Sequence, residues 1–60
     1  MDPNANLAEQ VRVARLIITA ADRRSSASRD LALWLAELVE ALDEWIRRGG
    51  SLPTAWKKLP

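Results

Sequence analysis

Two runs of apolar positions at helical spacing account for most of the chain. In the first, Leu7, Val11, Ala14, Ile18 and Ala21 recur at intervals of four, three, four and three, which marks one continuous stripe on a helix. Val13, Ile17 and Ala20 widen it to roughly half the circumference at about 100° per residue. In the second, Leu31, Leu35, Leu38, Leu42 and Trp45 repeat the same intervals, flanked by Trp34, Val39, Ala41 and Ile46, with Glu37, Glu40, Asp43, Glu44 and Arg47 on the opposite face.

The residues between and beyond the stripes set the boundaries. Asp2-Pro3-Asn4 reads as a helix start, because Asp or Asn caps the first N–H groups and Pro has no N–H to waste at the first helical position. The first helix is predicted over about 4–23. Arg24-Ser25-Ser26-Ala27-Ser28 breaks the pattern, and serine competes for backbone hydrogen bonds, so Ser26 or Ser28 is the expected N-cap of the second helix. A tight turn over 24–28 is the preferred reading; with no Gly or Pro in this segment, one continuous bent helix is the alternative. Asp30 suits the positive end of the second helix dipole. Arg47-Arg48 followed by Gly49-Gly50 is a helix stop, with cations at the negative end and then a residue free to turn left-handed. The second helix is therefore expected over about 28–48. Beyond it, 49–60 reads as a C-terminal clasp: a reversal and one helical turn, with Leu52 and Trp56 spaced to fold back onto the end of the helix pair. The expected fold is a single all-α domain over residues 1–60, an antiparallel helical hairpin with a short C-terminal helical turn, dimerising as a four-helix bundle.

Composition narrows what such a hairpin does. Ten Ala and nine Leu against three Val and three Ile favour helix over sheet. A 60-residue chain buries too little surface to be more than marginally stable without a staple. It has neither Cys nor His, which removes disulfides and makes zinc a poor candidate. Oligomerisation is the staple left. Leu31 to Ala36, the longest uncharged apolar run, is far too short for a membrane span, and no basic segment leads into an apolar stretch as in a signal peptide. A cytoplasmic protein is expected.

The segment Leu42-Asp43-Glu44-Trp45-Ile46-Arg47-Arg48-Gly49-Gly50-Ser51-Leu52-Pro53-Thr54-Ala55-Trp56 resembles a C-terminal pattern of small helical proteins of actinobacterial phages. In that pattern an acidic helix end with Trp leads through Gly-Gly into Leu-Pro and a second Trp. The resemblance covers about a quarter of the chain. It implies a phage origin and a site of action in the host cytoplasm, and it carries over no catalytic or binding residue. A well-made helix stop with an aromatic clasp accounts for the same residues on physical grounds.

The side chains for catalysis are missing. Nucleophilic catalysis needs Ser, Cys or Thr beside a base, and here the serines of the turn have no His to activate them. Glu37, Glu40 and Glu44 share a face but point away from the leucine stripe, whereas a carboxylate metal site in a bundle faces inward. Gly49-Gly50 follows a helix instead of preceding one, so it does not cradle phosphate. No enzyme activity and no cofactor or metal are expected.

Binding surfaces are what remain. Residues 1–29 carry five Arg against three acids and residues 30–48 five acids against two Arg; a hairpin turning near Ser26 would set Arg12 beside Glu40 and Arg15 beside Glu37. Two helices cover only one face of each other, yet both stripes are wide. Leu16 and Leu33 fall outside them, and Trp34, Trp45 and Trp56 add large areas. The predicted oligomer or partner interface is Leu16, Leu33, Trp34, Leu38, Leu42 and Trp45, serving a homodimer and an unidentified host or phage protein. The alternative is a dimeric nucleic-acid-binding protein using Arg23, Arg24 and Arg29 at the turn, with Lys57 and Lys58 in the tail, since phosphate binding needs concentrated positive charge. A purely structural oligomer is the third reading.

Overall fold

The computed structural model describes residues 1–23 and 28–57, and it is all-helical. Helix α1 spans Pro3–Asp22, helix α2 spans Ser28–Arg47, and a 3-10 turn covers Thr54–Lys57. The two helices pack antiparallel as a hairpin. Residues 24–27, which include Arg24 and the cap candidate Ser26, lie outside the described residues, as does Lys58, while Ser28 is the first residue of α2.

Local chemistry explains each described helix end. The Asp2 carboxylate accepts from the N–H groups of Asn4 at 3.0 Å and Ala5 at 3.2 Å, with Pro3 opening α1. These are the donors that a helix start leaves unpaired. At the other end of the chain, Gly49 takes φ +92°. Its N–H donates to the Ile46 carbonyl at 3.0 Å, and the Gly50 N–H donates to the Trp45 carbonyl at 2.9 Å. This pair of bonds is the Schellman arrangement, which needs a left-handed residue that glycine adopts without steric cost.

Gly50 is required for a different reason. A Cβ there would land inside the Trp45 indole ring. The bare backbone lets the chain pass over the ring, and the indole N–H then donates to the Ser51 carbonyl at 2.9 Å. Pro53 is fully buried, and the Thr54 N–H donates to the Asn4 side chain at 2.6 Å. The clasp thereby ties the end of α2 to the start of α1. Its buried residue is Pro53; Leu52 and Trp56, expected to fold inward, are both exposed.

The seam between the helices is thin. Val13, Ala20 and Leu42 are its buried apolar residues among those described, with Leu31, Leu35, Leu38, Trp45 and Ile46 half-buried along α2. The α2 stripe therefore packs as its spacing predicts. On α1 the picture changes: Val11, Ile18 and Ala21, members of the predicted stripe, are exposed. The seam uses the edge formed by Val13, Ile17 and Ala20, continued by Asn6 and Gln10. Asn6 donates to the Leu38 carbonyl at 3.0 Å and accepts from Gln10 at 2.6 Å. Two side chains that a polarity pattern places outside are thus accommodated inside, because their hydrogen bonds are satisfied.

The cross-helix register also differs from the charge-based expectation. Arg12 lies over the Trp34 ring, 5.2 Å from its centroid, and pairs with Glu9 one turn away. It does not reach Glu40, and Arg15 does not pair with Glu37. Each ion pair between described residues is local, joining side chains three or four residues apart: Arg12–Glu9, Arg47–Asp43 and Arg48–Glu44. Exposed pairs contribute about 0–1 kcal/mol, too little to choose a register against apolar packing and the Asn6–Leu38 bond.

Candidate functional site

A hairpin is one helix thick, so it has two broad faces and two outer edges. Successive residues turn by about 100°, and the buried seam fixes which way each helix is rotated. On α1, Leu7, Val11, Ala14 and Ile18 lie about a quarter turn to one side of the seam. On α2, Ala32, Ala36 and Val39 lie to the corresponding side. That the two sets share one face follows from a groove there, lined by Gln10, Val39, Leu42, Asp43, Ile46 and Trp56. We call this the alanine face. Ile18 on it is 62% exposed, Val39 47% and Val11 46%.

The opposite face carries Arg12 and Leu16 of α1 with Trp34 and Ala41 of α2. Trp34 is 40% exposed and lies beneath the Arg12 guanidinium. Charge is plentiful here, from Glu9 and Arg12 in mid-face to Glu44 and Arg48 at the hollow that Met1 and Trp45 border.

The residues predicted as an interface are therefore dispersed. Leu16 and Trp34 are exposed on the charged face, while Leu33, 62% exposed, points from the outer edge of α2. Leu42 is buried in the hairpin's own seam, Leu38 is half-buried beside it, and Trp45 is half-buried under the clasp. Val11, Ile18 and Val39 on the helices, with Met1, Leu52 and Trp56 outside them, are exposed apolar residues that the predicted interface left out. The available signal was the width of the α1 stripe: an arc of half a circumference exceeds what one partner helix covers.

Arg23 and Arg29 are exposed at the turn end, and Lys57 ends the 3-10 turn of the clasp, whose Thr54 is bonded to Asn4 at the opposite end. A 20-residue helix separates ends by about 30 Å, so the basic residues do not form one patch. Among the described residues, no group of three or more His, Cys, Asp or Glu could hold a metal ion, and no helix is long and apolar enough to cross a membrane. Comparison with protein-family models, with curated proteins and with solved structures finds no match to the chain.

Proposed function

We propose that this chain is a non-catalytic protein-interaction module that self-associates, two hairpins forming a four-helix bundle, and that the assembled bundle binds a host or phage protein. One observation carries the self-association. The chain exposes 4780 Å², whereas a compact monomer of its 6.7 kDa mass exposes about 3,900 Å². The excess of about 900 Å² matches the roughly 800 Å² that each partner contributes to a stable protein interface. The radius of gyration agrees: 13.2 Å against about 10 Å for a compact 60-residue domain. The foreign partner rests on the second face, where Leu16 and Trp34 stay exposed.

Light scattering at micromolar concentration tests this reading. A mass of two chains is expected. A folded single chain at every concentration up to the millimolar range removes self-association from the proposal.

A further inference from the structure

We infer that the alanine face is the surface on which a second copy of this chain docks, leaving the Arg12–Trp34 face outward. The inference rests on the self-association proposed above and adds which side of the hairpin carries it. Three observations single out this face.

The first is its chemistry. From Leu7 to Ile18 on α1 and from Ala32 to Val39 on α2, the residues turned to this face carry no charge. The Asp43–Arg47 pair sits only at its open end. The opposite face has Glu9 and Arg12 in its middle, and docking there would strip water from both charges and disturb the guanidinium seated on Trp34. Removing charges from water without new partners is costly.

The second is shape. Ala14, Ala32 and Ala36 are the small residues of this face, interspersed with the larger Leu7, Val11, Ile18 and Val39. Small residues let two helix layers approach to about 8–10 Å between axes, and the taller side chains then fill the gaps. A two-fold axis makes this fit reciprocal, because the same patch supplies knob and hole.

The third is the rim. Arg15 of α1 and Glu40 of α2 lie on the outer edges, clear of the face, and neither has an ionic partner among the described residues, so covering the face between them breaks no ion pair. With α1 of each copy lying across α2 of the other, this uncharged stretch of one chain meets the same stretch of its partner. The helices are then antiparallel to their neighbours throughout, as in an up-down bundle.

The chain's lack of cysteine supplies a clean test. Single-cysteine variants Ala36→Cys, Leu33→Cys and Leu16→Cys are labelled with a thiol reagent across a dilution series. Thiol exchange follows access, so Ala36→Cys should react about tenfold more slowly than the other two at high concentration and converge with them on dilution. A second arm follows mass by sedimentation and helicity by circular dichroism. Ile18→Ser should weaken the dimer roughly tenfold or more, since the loss is felt on both sides of the axis, while Leu16→Ser leaves it unchanged. A wild-type chain that is monomeric overturns the self-association itself. A dimer in which Leu16→Cys is the protected thiol, and Leu16→Ser the disrupting change, overturns this face while sparing self-association. An Ile18→Ser chain that loses its helices is decided by the thiol series alone: protection of Ala36→Cys supports the face, and labelling at the rate of Leu33→Cys overturns it.

Discussion

Gly50 and Gly49 adjoin each other, yet they serve the fold through different physics. Gly49 needs its left-handed φ of +92°, with open space where a side chain would go; an L-residue there costs about 1–2 kcal/mol in backbone strain. Gly50 needs room, because its missing Cβ is where the Trp45 indole lies. Gly50→Ala is therefore expected to cost about 1–3 kcal/mol by overpacking and to displace the indole from the Ser51 carbonyl. In a background with Trp34→Phe and Trp56→Phe, the indole N–H resonance of Trp45 should shift and lose its protection from solvent exchange. Gly49→Ala should destabilise the chain by a similar amount while leaving that resonance in place. Equal effects of both on the indole would show that ring packing does not distinguish the two glycines. At Leu42, 3% exposed, the same reasoning predicts a graver result. Leu→Ala changes in a core cost about 2–5 kcal/mol, comparable to the entire stability of a domain this small. Leu42→Ala should give a chain largely unfolded at room temperature by circular dichroism.

Helix α2 was legible in the sequence and α1 only partly so, and the reason lies in how many faces each apolar pattern permits. Leu31, Leu35, Leu38 and Leu42 of α2 fall on one narrow line ended by two glycines, so a single rotation turns them all to the seam and leaves Leu33 outside. In α1, apolar residues occupy two adjoining arcs, one through Val13, Ile17 and Ala20 and one through Leu7, Val11, Ala14 and Ile18. Spacing finds the helix but does not say which arc meets α2. Asn6 marks it through a bond that closes only in three dimensions, its side-chain amide meeting a carbonyl 32 residues away, while Gln10 holds Asn6 from the next turn of α1. The same ambiguity hid the alanine face and Pro53, whose burial depends on where the clasp returns. The caps, by contrast, were readable because Asp2-Pro3 and Gly49-Gly50 satisfy neighbours along the chain. The two arcs of α1 should respond differently to one substitution. Val13→Ser puts a hydroxyl into the seam and should cost about 2–3 kcal/mol in urea denaturation at any protein concentration. Ile18→Ser changes a side chain that a lone hairpin leaves in water, and its cost should shrink below about 0.5 kcal/mol at the lowest concentrations and grow as concentration rises. Identical, concentration-independent losses for both would mean that only one arc matters.

For the molecule as a whole, thickness is the governing dimension. Extents of 38 × 26 × 14 Å describe a slab whose short axis leaves no interior beyond a single seam. Val13, Ala20 and Leu42 are a small core for a chain of this length, and no disulfide supplements it. A second layer on the alanine face would convert exposed apolar surface into an interior without altering either helix, and folding would then be coupled to assembly. Coupling has a quantitative signature in heat denaturation. Unfolding enthalpy is about 0.7 kcal/mol per residue near 60 °C, so a dimer of two 60-residue chains absorbs roughly 80 kcal/mol on melting. Mass action then raises Tm by about 6 °C for each tenfold increase in chain concentration. Scanning calorimetry from tens of micromolar to millimolar spans enough concentration to show it. A Tm that does not move across that range would place all of the stability within one hairpin, and the alanine face would then contribute nothing to holding the fold together.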